Sequence, residues 1–141
     1  MVLGKFLPNW VSLLQLAGFR MEKLMVNASW DDVESFISYL RLKDTGKWQA
    51  GVYGIPRGGC VLAAIISYRF HIPLLAAPCE GCLVVDDISD SGKTLLHYRE
   101  KGYEIATMYF NKETAVMPDY CFFEKYGKNE WIVFPWEDGN V

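Results

Sequence analysis

The stretch Val84-Val85-Asp86-Asp87-Ile88-Ser89-Asp90-Ser91-Gly92-Lys93-Thr94 joins the end of an apolar segment to the start of a helix. The apolar segment Cys82–Val85 is typical of a strand buried in a parallel sheet. Thr94–Lys101 has the pattern of a helix that ends at Gly102. Asp86–Lys93 is therefore predicted to form an acidic, glycine-containing loop. Because ligands of open α/β sheets bind beyond the carboxyl ends of the strands, this loop is the predicted ligand site.

Strands and helices alternate on both sides of this stretch. Upstream, apolar residues at helical spacing predict a helix over Trp30–Leu42, with Asn27 or Ser29 as its N-cap. Val61–Phe70 is apolar on nearly every face and is predicted to be a buried helix. Further strands are predicted at Trp48–Ile55, Pro73–Ala77, Ile105–Phe110, Tyr120–Phe123 and Trp131–Phe134. The predicted class is α/β, with a mainly parallel open sheet flanked by helices.

Composition and charge limit the kind of ligand. The chain has 141 residues, which suits one domain, and it is 51% hydrophobic and 22% charged, as a globular protein is. Its formal net charge is −3, so no overall basic field attracts a nucleic-acid backbone, and no nucleic-acid partner is expected. A bound phosphate would have to be held locally, by loops and helix ends. This points to a small phosphorylated ligand.

The two halves of the acidic loop suit two parts of a sugar phosphate. Backbone N–H groups and hydroxyls at the start of the helix, from Asp90 to Thr94, can converge on a phosphate. The adjacent carboxylates of Asp86 and Asp87 would repel a bare phosphate but can accept hydrogen bonds from ribose hydroxyls, with Mg²⁺ nearby. Gly92-Lys93-Thr94 is also the end of a Walker A motif, but that motif requires glycine where this chain has Asp87. An acidic turn without a ligand is the plainer alternative.

This stretch resembles the phosphoribosyl-diphosphate signature of type I phosphoribosyltransferases. The resemblance implies that Asp86 and Asp87 bind the ribose hydroxyls, with Asp87 nearer to Mg²⁺ and the metal residue of the site. It implies that Asp90 faces the purine ring as a general acid or base. The 5-phosphate would be held by Ser91, Gly92, Lys93 and Thr94.

A second segment, Gly54-Ile55-Pro56-Arg57-Gly58-Gly59, resembles the loop that binds the diphosphate in the same family. The resemblance implies a cis peptide bond between Pro56 and Arg57. It also implies that Pro56, Arg57, Gly58 and Gly59 contact the donor. The two glycines allow the backbone to approach the ligand closely, and Arg57 supplies a cation for the departing diphosphate.

The C-terminal third resembles bacterial xanthine-guanine phosphoribosyltransferases in Tyr109–Lys112 and Glu130–Glu137. The resemblance implies a short base-binding hood. In this hood Lys112 would read the exocyclic oxygen of a 6-oxopurine, Trp131 would stack on the ring, and Ile132 would lie beside its edge. Trp131 could also be an ordinary core residue.

One departure from the family pattern concerns the cover of the site. Relatives carry a long mobile loop before the acidic strand, but here Leu74–Leu83 fills the whole interval, with a turn at Pro78–Gly81. Donor binding should survive this loss, whereas efficient transfer depends on another cover. The turn includes Cys79 and Cys82, which offer only two of the four ligands of a structural zinc site. We interpret all four cysteines as reduced thiols.

The N-terminal segment has no predicted catalytic role. Val2–Phe19 is apolar but interrupted by Lys5, Pro8, Asn9 and Gln15, so no membrane span is expected. Residues 1–20 are either an appended helix, which we favour, or lie upstream of a true start at Met21 or Met25. We expect residues 1–25 to be an extension and residues 26–141 to be the phosphoribosyltransferase domain.

The predicted reaction is the Mg²⁺-dependent transfer of a phosphoribosyl group from phosphoribosyl diphosphate to a purine base, with a 6-oxopurine favoured and Asp90 and Arg57 as catalytic residues. The resemblance implies a cytoplasmic enzyme of purine salvage that forms a homodimer or homotetramer. One alternative is a regulatory protein that binds phosphoribosyl diphosphate or a nucleotide without turnover. Another is a transferase that acts on a different base.

Overall fold

The computed structural model describes residues 3–4, 17–18 and 23–137. In chain order its elements are β1 (Leu3–Gly4), β2 (Leu24–Asn27), α1 (Trp30–Lys43), β3 (Val52–Gly54), α2 (Gly58–Phe70), β4 (Leu83–Ser89), α3 (Lys93–Glu100), β5 (Glu104–Asn111), β6 (Tyr120–Lys125) and β7 (Glu130–Val133). A five-stranded sheet has the order β1-β6-β5-β4-β3, and β2 pairs with β7 in a second sheet. All of these pairings are parallel. The predicted α/β class is confirmed.

Alternating residues of β4 divide the core into two parts. Leu83 and Val85 pack in the larger cluster, together with side chains of α1 and α2. Val84 points to the other face, where it packs with Leu95 of α3. Because successive strand residues face opposite sides, an apolar run such as this one covers both faces of a sheet. β4, the interior strand that carries the acidic pair, is thus packed on both of its faces.

The helix boundaries follow local chemistry. Ser29 is the N-cap of α1: its hydroxyl accepts from the Asp32 N–H at 3.0 Å, and the Asp32 carboxylate accepts from the Ser29 N–H at 2.9 Å. This selects Ser29 over Asn27. Helix α2 begins at Gly58, three residues earlier than predicted, so the predicted diphosphate loop runs directly into its first turn.

Two predicted strands are shorter than expected. Of Trp48–Ile55, only Val52–Gly54 is a strand, because Gly51, at φ +130°, follows a turn in which its N–H donates to the Trp48 carbonyl. Trp48 is buried, and its indole N–H donates to Glu104 at 2.6 Å. Of Pro73–Ala77, only Leu74 forms a bridge, to Val52.

The acidic loop is also shorter than predicted, because β4 continues through Asp86 and Asp87 to Ser89. Asp86 pairs with Thr107 of β5, and Ser89 pairs with Phe110. The loop proper is Asp90–Gly92. The carboxylates therefore stand on a paired strand, which positions them more rigidly than a loop would.

The connection before β4 is short, as predicted. The Cys82 N–H donates to the Cys79 carbonyl at 3.2 Å, and Gly81 takes a positive φ of +80°. This arrangement is a tight turn.

The predicted N-terminal helix lies largely outside the described residues. Of that segment, Leu3 and Gly4 pair with Phe123 and Glu124 and add an edge strand beside β6. The predicted boundary between residues 25 and 26 falls inside β2, and the division of the chain at that point stays a prediction. In the part of the chain that is described, no helix has the length and apolar character needed to cross a membrane.

Candidate functional site

The predicted ligand-binding segments meet at the carboxyl edge of the five-stranded sheet. The segment Ile55–Arg57 follows β3, the Asp90–Gly92 loop follows β4, and the segment that begins at Lys112 follows β5. Since β3, β4 and β5 are neighbours and parallel, all three segments emerge on the same side. The edge thus gathers residues that are distant in sequence.

A cavity of about 260 Å³ lies in front of the acidic loop. Its walls are formed by Asp86–Gly92, Thr94 and Leu95. A larger cavity, of about 460 Å³, is lined by Gly81 and Glu104, near the starts of β4 and β5, and so lies at the opposite edge of the sheet. We assign the site to the smaller cavity because it brings carboxylates and a helix start together.

The side chains of the acidic pair, Asp86 and Asp87, are half-buried, and their pKa values are raised. Burial, with the neighbouring Asp87 charge added, raises the pKa of Asp86 from 3.8 to about 8. Burial also raises the pKa of Asp87. The Asp86 carboxylate accepts from the Asp87 N–H, the Asp87 carboxylate accepts from the Ile88 N–H, and the two side chains also share a hydrogen bond that raises the pKa of Asp86 and lowers that of Asp87. Among the described residues no cation forms an ion pair with either aspartate.

The predicted diphosphate loop lies directly against this pair. A Cβ atom on Gly58 would lie only 2.5 Å from the carboxyl carbon of Asp87 and would overlap the carboxylate. A Cβ atom on Gly59 would overlap the Val85 carbonyl oxygen and lie 3.1 Å from the Asp86 Cα. Both positions therefore require glycine for close approach. The peptide bond between Pro56 and Arg57 is cis, which confirms that prediction, and Arg57 is exposed.

The predicted phosphate loop is supported by the segment after β5. Gly92 takes φ +81°, and a Cβ atom there would lie 2.5 Å from the Thr114 hydroxyl oxygen. The Ala115 N–H donates to the Ser91 carbonyl at 2.9 Å. The Ser89 and Thr114 hydroxyls are 2.7 Å apart. Sequence reasoning missed Thr114, which has no signal beyond being a small hydroxyl residue in a loop.

Asp90 has two side-chain partners, neither of them predicted. The Asn111 amide donates to one carboxylate oxygen at 3.0 Å, and the Lys125 ammonium donates to the other at 2.7 Å. Burial of Asp90 would raise its pKa, but the hydrogen bonds from Lys125 and Asn111 and the Lys125 charge lower it overall. Asp90 is therefore held as a carboxylate. Of the two predicted roles, acid or base, this environment favours the base.

The predicted base-binding residues have other contacts in this structure. The Lys112 ammonium lies 3.2 Å from Glu124, and its side chain is 74% exposed. The Lys23 ammonium lies over the Trp131 ring, 4.1 Å from its centroid, so a stacked base would use the opposite ring face. Ile132 is buried in the larger core cluster. A base-contact role for these three residues stays a prediction.

Glu137 is a further acidic residue, to which the sequence analysis gave no role of its own. Its carboxylate accepts from the Phe134 N–H at 3.1 Å, which fixes the turn after β7. Its charge adds to burial in raising the pKa of Asp87. The C-terminal turn therefore brings negative charge toward the acidic pair.

The chemistry of these donors fits a magnesium ion shared with a substrate. Two adjacent carboxylates with raised pKa values are hard oxygen ligands that a divalent cation would stabilise. Within the described ranges, no three His, Cys, Asp or Glu residues form a cluster able to hold a metal alone. Mg²⁺ is commonly bound by one or two carboxylates and completed by substrate phosphates. The site suits that mode.

Comparisons with known proteins agree on one family. The chain is 30% identical over 122 residues to xanthine-guanine phosphoribosyltransferase of Nitratidesulfovibrio vulgaris, covering 69% of this chain and 74% of that protein. It is 30% identical over 145 residues to the enzyme of the same name from Cereibacter sphaeroides, covering 79% of this chain and 86% of that protein. The crystal structure of a purine phosphoribosyltransferase from Pyrococcus horikoshii matches with a TM-score of 0.69 and 31% identity, over 83% of this chain and 96% of that one. No protein-family model matches the chain.

Proposed function

Because this chain belongs to the xanthine-guanine phosphoribosyltransferase family, we propose that it transfers the 5-phosphoribosyl group of phosphoribosyl diphosphate to a purine base and releases diphosphate. The observation that carries the proposal is the contact between Gly58 and Asp87 beside the cavity. This contact joins the diphosphate loop to the acidic pair, as a single donor molecule would require. We place the reaction in purine salvage in the cytoplasm.

The donor would lie along the carboxyl edge of the sheet. Its 5-phosphate would accept hydrogen bonds from the Ser91–Thr94 segment, where the start of α3 presents backbone N–H groups. Its ribose hydroxyls would donate to Asp86 and Asp87. Its diphosphate would meet the Arg57–Gly59 backbone and the Arg57 guanidinium. These contacts would hold C1 of the ribose between the acidic pair and Asp90.

The chain's own groups would stabilise the charges that develop during transfer. As the C1–O bond breaks, its electron pair leaves with the diphosphate, which Arg57 stabilises. The ribose becomes positive, and the carboxylates of Asp86 and Asp87 lie near it. A ring nitrogen of the base forms the new bond to C1, and its proton passes to the carboxylate of Asp90. When bound beside Asp87, Mg²⁺ supplies positive charge that offsets the charge of the diphosphate.

We propose a 6-oxopurine as the acceptor. Lys112 would read the exocyclic oxygen, for which it would have to leave Glu124, and its exposure makes that movement easy. The free face of Trp131 would stack on the ring, a contact worth about 1–3 kcal/mol by analogy with base stacking. Ile132 would contribute backbone groups at the edge of the base.

A second function, binding without turnover, is favoured by the tight turn at Cys79–Cys82. This turn lies beside the larger cavity at the amino edge of the sheet, away from Asp86. It cannot cover the ligand, and water competes with the acceptor in an open site. For the transferase, the N-terminal segment or a second copy in a homodimer or homotetramer would have to supply the cover.

Turnover assays separate these functions. The protein is mixed with Mg²⁺, phosphoribosyl diphosphate and one base at a time: xanthine, guanine, hypoxanthine, adenine, uracil or orotate. We expect diphosphate release with the 6-oxopurines, and its loss in Asp87→Asn and in EDTA. Binding of the donor without release for every base would refute the transferase and favour the regulatory function. Release with orotate alone would refute the assignment to purines.

A further inference from the structure

We infer that Lys125 is a positioning residue that orients Asp90 and keeps it ready to accept the proton of the incoming base. The inference rests on the proposed function for the identity of the proton donor, but the state of Asp90 can be measured without turnover. Lys125 is the last residue of β6 and lies beyond the predicted strand Tyr120–Phe123, so the sequence analysis gave it no role.

The geometry fixes both oxygens of the Asp90 carboxylate. Lys125 donates to one at 2.7 Å, and Asn111 donates to the other at 3.0 Å. Asn111 and Lys125 are register partners in β5 and β6, so they present neighbouring side chains to the same carboxylate. A carboxylate held at both oxygens has little rotational freedom. Its orientation toward the cavity is therefore set by the ends of two strands.

The burial of Lys125 distinguishes this ion pair from an ordinary surface pair. The Lys125 side chain is only 6% exposed, whereas that of Asp90 is 47% exposed. A buried ammonium is costly unless it is paired. Loss of the contact with Asp90 would leave the Lys125 ammonium buried and unpaired, so the pair is held together. Asp90 nevertheless remains accessible to a ligand on its exposed side. Surface ion pairs lack this asymmetry.

The other charged groups on these strand ends form a separate pair. Glu124 and Lys125 are adjacent on β6 and face opposite sides of the sheet. Glu124 pairs with Lys112. Facing Asp90 itself are the neutral Asn111 from β5 and the cation Lys125 from β6. Within the described residues, Lys125 is the cation that forms an ion pair with Asp90. The lowered pKa of Asp90 agrees with this arrangement.

The test is the titration of Asp90 in full-length protein. The side-chain carboxyl ¹³C resonance of Asp90, assigned by its loss in Asp90→Asn, is followed from pH 2.5 to 8 in the wild type and three variants. Lys125→Met removes the cation at similar volume, and Lys125→Arg restores it. Lys101→Met, on an exposed lysine that lines the cavity at the opposite edge, makes the same change in net charge. The pH profile of kcat/KM for diphosphate release is measured in parallel.

We expect the Asp90 midpoint to rise by about 1–3 pH units in Lys125→Met and to stay unchanged in Lys101→Met. Lys125→Arg should recover most of the shift, and the acidic limb of kcat/KM should move with the midpoint. An unchanged midpoint in folded Lys125→Met would overturn the inference. If that variant does not fold, a wild-type Asp90 midpoint at or above an ordinary aspartate value would overturn it instead. Absence of turnover in the wild type would refute the proposed function and leave the titration result standing.

Discussion

Two adjacent glycines, Gly58 and Gly59, provide a sharp test of the site because they contact different kinds of atom. A Cβ atom on Gly58 meets the carboxyl end of the Asp87 side chain, which can rotate. A Cβ atom on Gly59 meets the backbone of β4 at Val85, which cannot move aside in this way. Gly58→Ala should therefore impair ligand binding, whereas Gly59→Ala should impair stability. The same chemical change is made at neighbouring positions of one helix.

The magnitudes follow from the distances. In Gly58→Ala the Asp87 carboxyl carbon must move from 2.5 Å to an ordinary contact of at least 3.4 Å from the new Cβ atom. A displacement near 1 Å at a catalytic site costs on the order of 100-fold in rate. The loss of stability should be below about 1 kcal/mol, since alanine favours the helix by up to about 1 kcal/mol over glycine. In Gly59→Ala, overpacking against backbone should cost about 1–3 kcal/mol.

The assays are calorimetric binding of phosphoribosyl diphosphate in the presence of Mg²⁺, kcat/KM for diphosphate release, and thermal unfolding followed by circular dichroism. Gly58→Ala should lose about 30–100-fold in kcat/KM with a nearly unchanged Tm. Gly59→Ala should unfold about 3–10 °C lower than the wild type. Wild-type binding and turnover in Gly58→Ala would refute the placement of Asp87 in the donor site. Equal loss of stability in the two variants would refute the distinction between side-chain and backbone contact.

Three further predictions concern single polar groups. Asp86→Asn should stabilise the protein in EDTA, because the pKa of Asp86 in the folded state is raised from 3.8 to about 8 and wild-type stability therefore falls as pH rises between those values. The gain in stability on substitution is bounded by about 4 kcal/mol at pH 7. Measurements of Tm against pH should show this gain growing over the same range. Asp90→Asn should lower kcat about 100-fold or more with little change in donor affinity, and a matching loss of affinity would contradict its role as the base. Tyr109→Phe should raise the free energy of unfolding by about 1 kcal/mol in urea titrations, because within the described residues the buried Tyr109 hydroxyl has no hydrogen-bond partner; a destabilised variant would show that the hydroxyl is satisfied.

The acidic pair shows which part of strand β4 the local sequence pattern predicts and which part it does not. The apolar run before Asp86 correctly predicted a buried strand, because burial on both faces requires apolar residues at every position. The two aspartates were then assigned to a loop, since charged residues rarely lie in a buried strand. The structure pairs Asp86 with Thr107 and continues β4 to Ser89. That pairing depends on β5, which local composition does not reveal.

Trp48 and Lys125 were misjudged for a related reason. Trp48 reads as the start of a strand, but its indole N–H bonds to Glu104, which is 56 residues away in the chain. Lys125 lies beyond the predicted strand Tyr120–Phe123 and was given no role, yet it is buried against Asp90, which is 35 residues away. Lysine is usually exposed, so nothing in its immediate sequence signals a buried ion pair. Its role depends on how β6 aligns with β4 and β5.

The sequence by itself determined the α/β class and singled out the two segments proposed to bind the donor, because apolar periodicity, helix starts and short motifs are properties of short stretches of chain. Tertiary structure alone decided that Gly58 touches Asp87, that Thr114 supports the Gly92 turn, and that Lys125 and Asn111 hold Asp90. These contacts depend on which strands are neighbours and in what register. Register and strand order are set by packing of the whole core, so they are not encoded in any single segment.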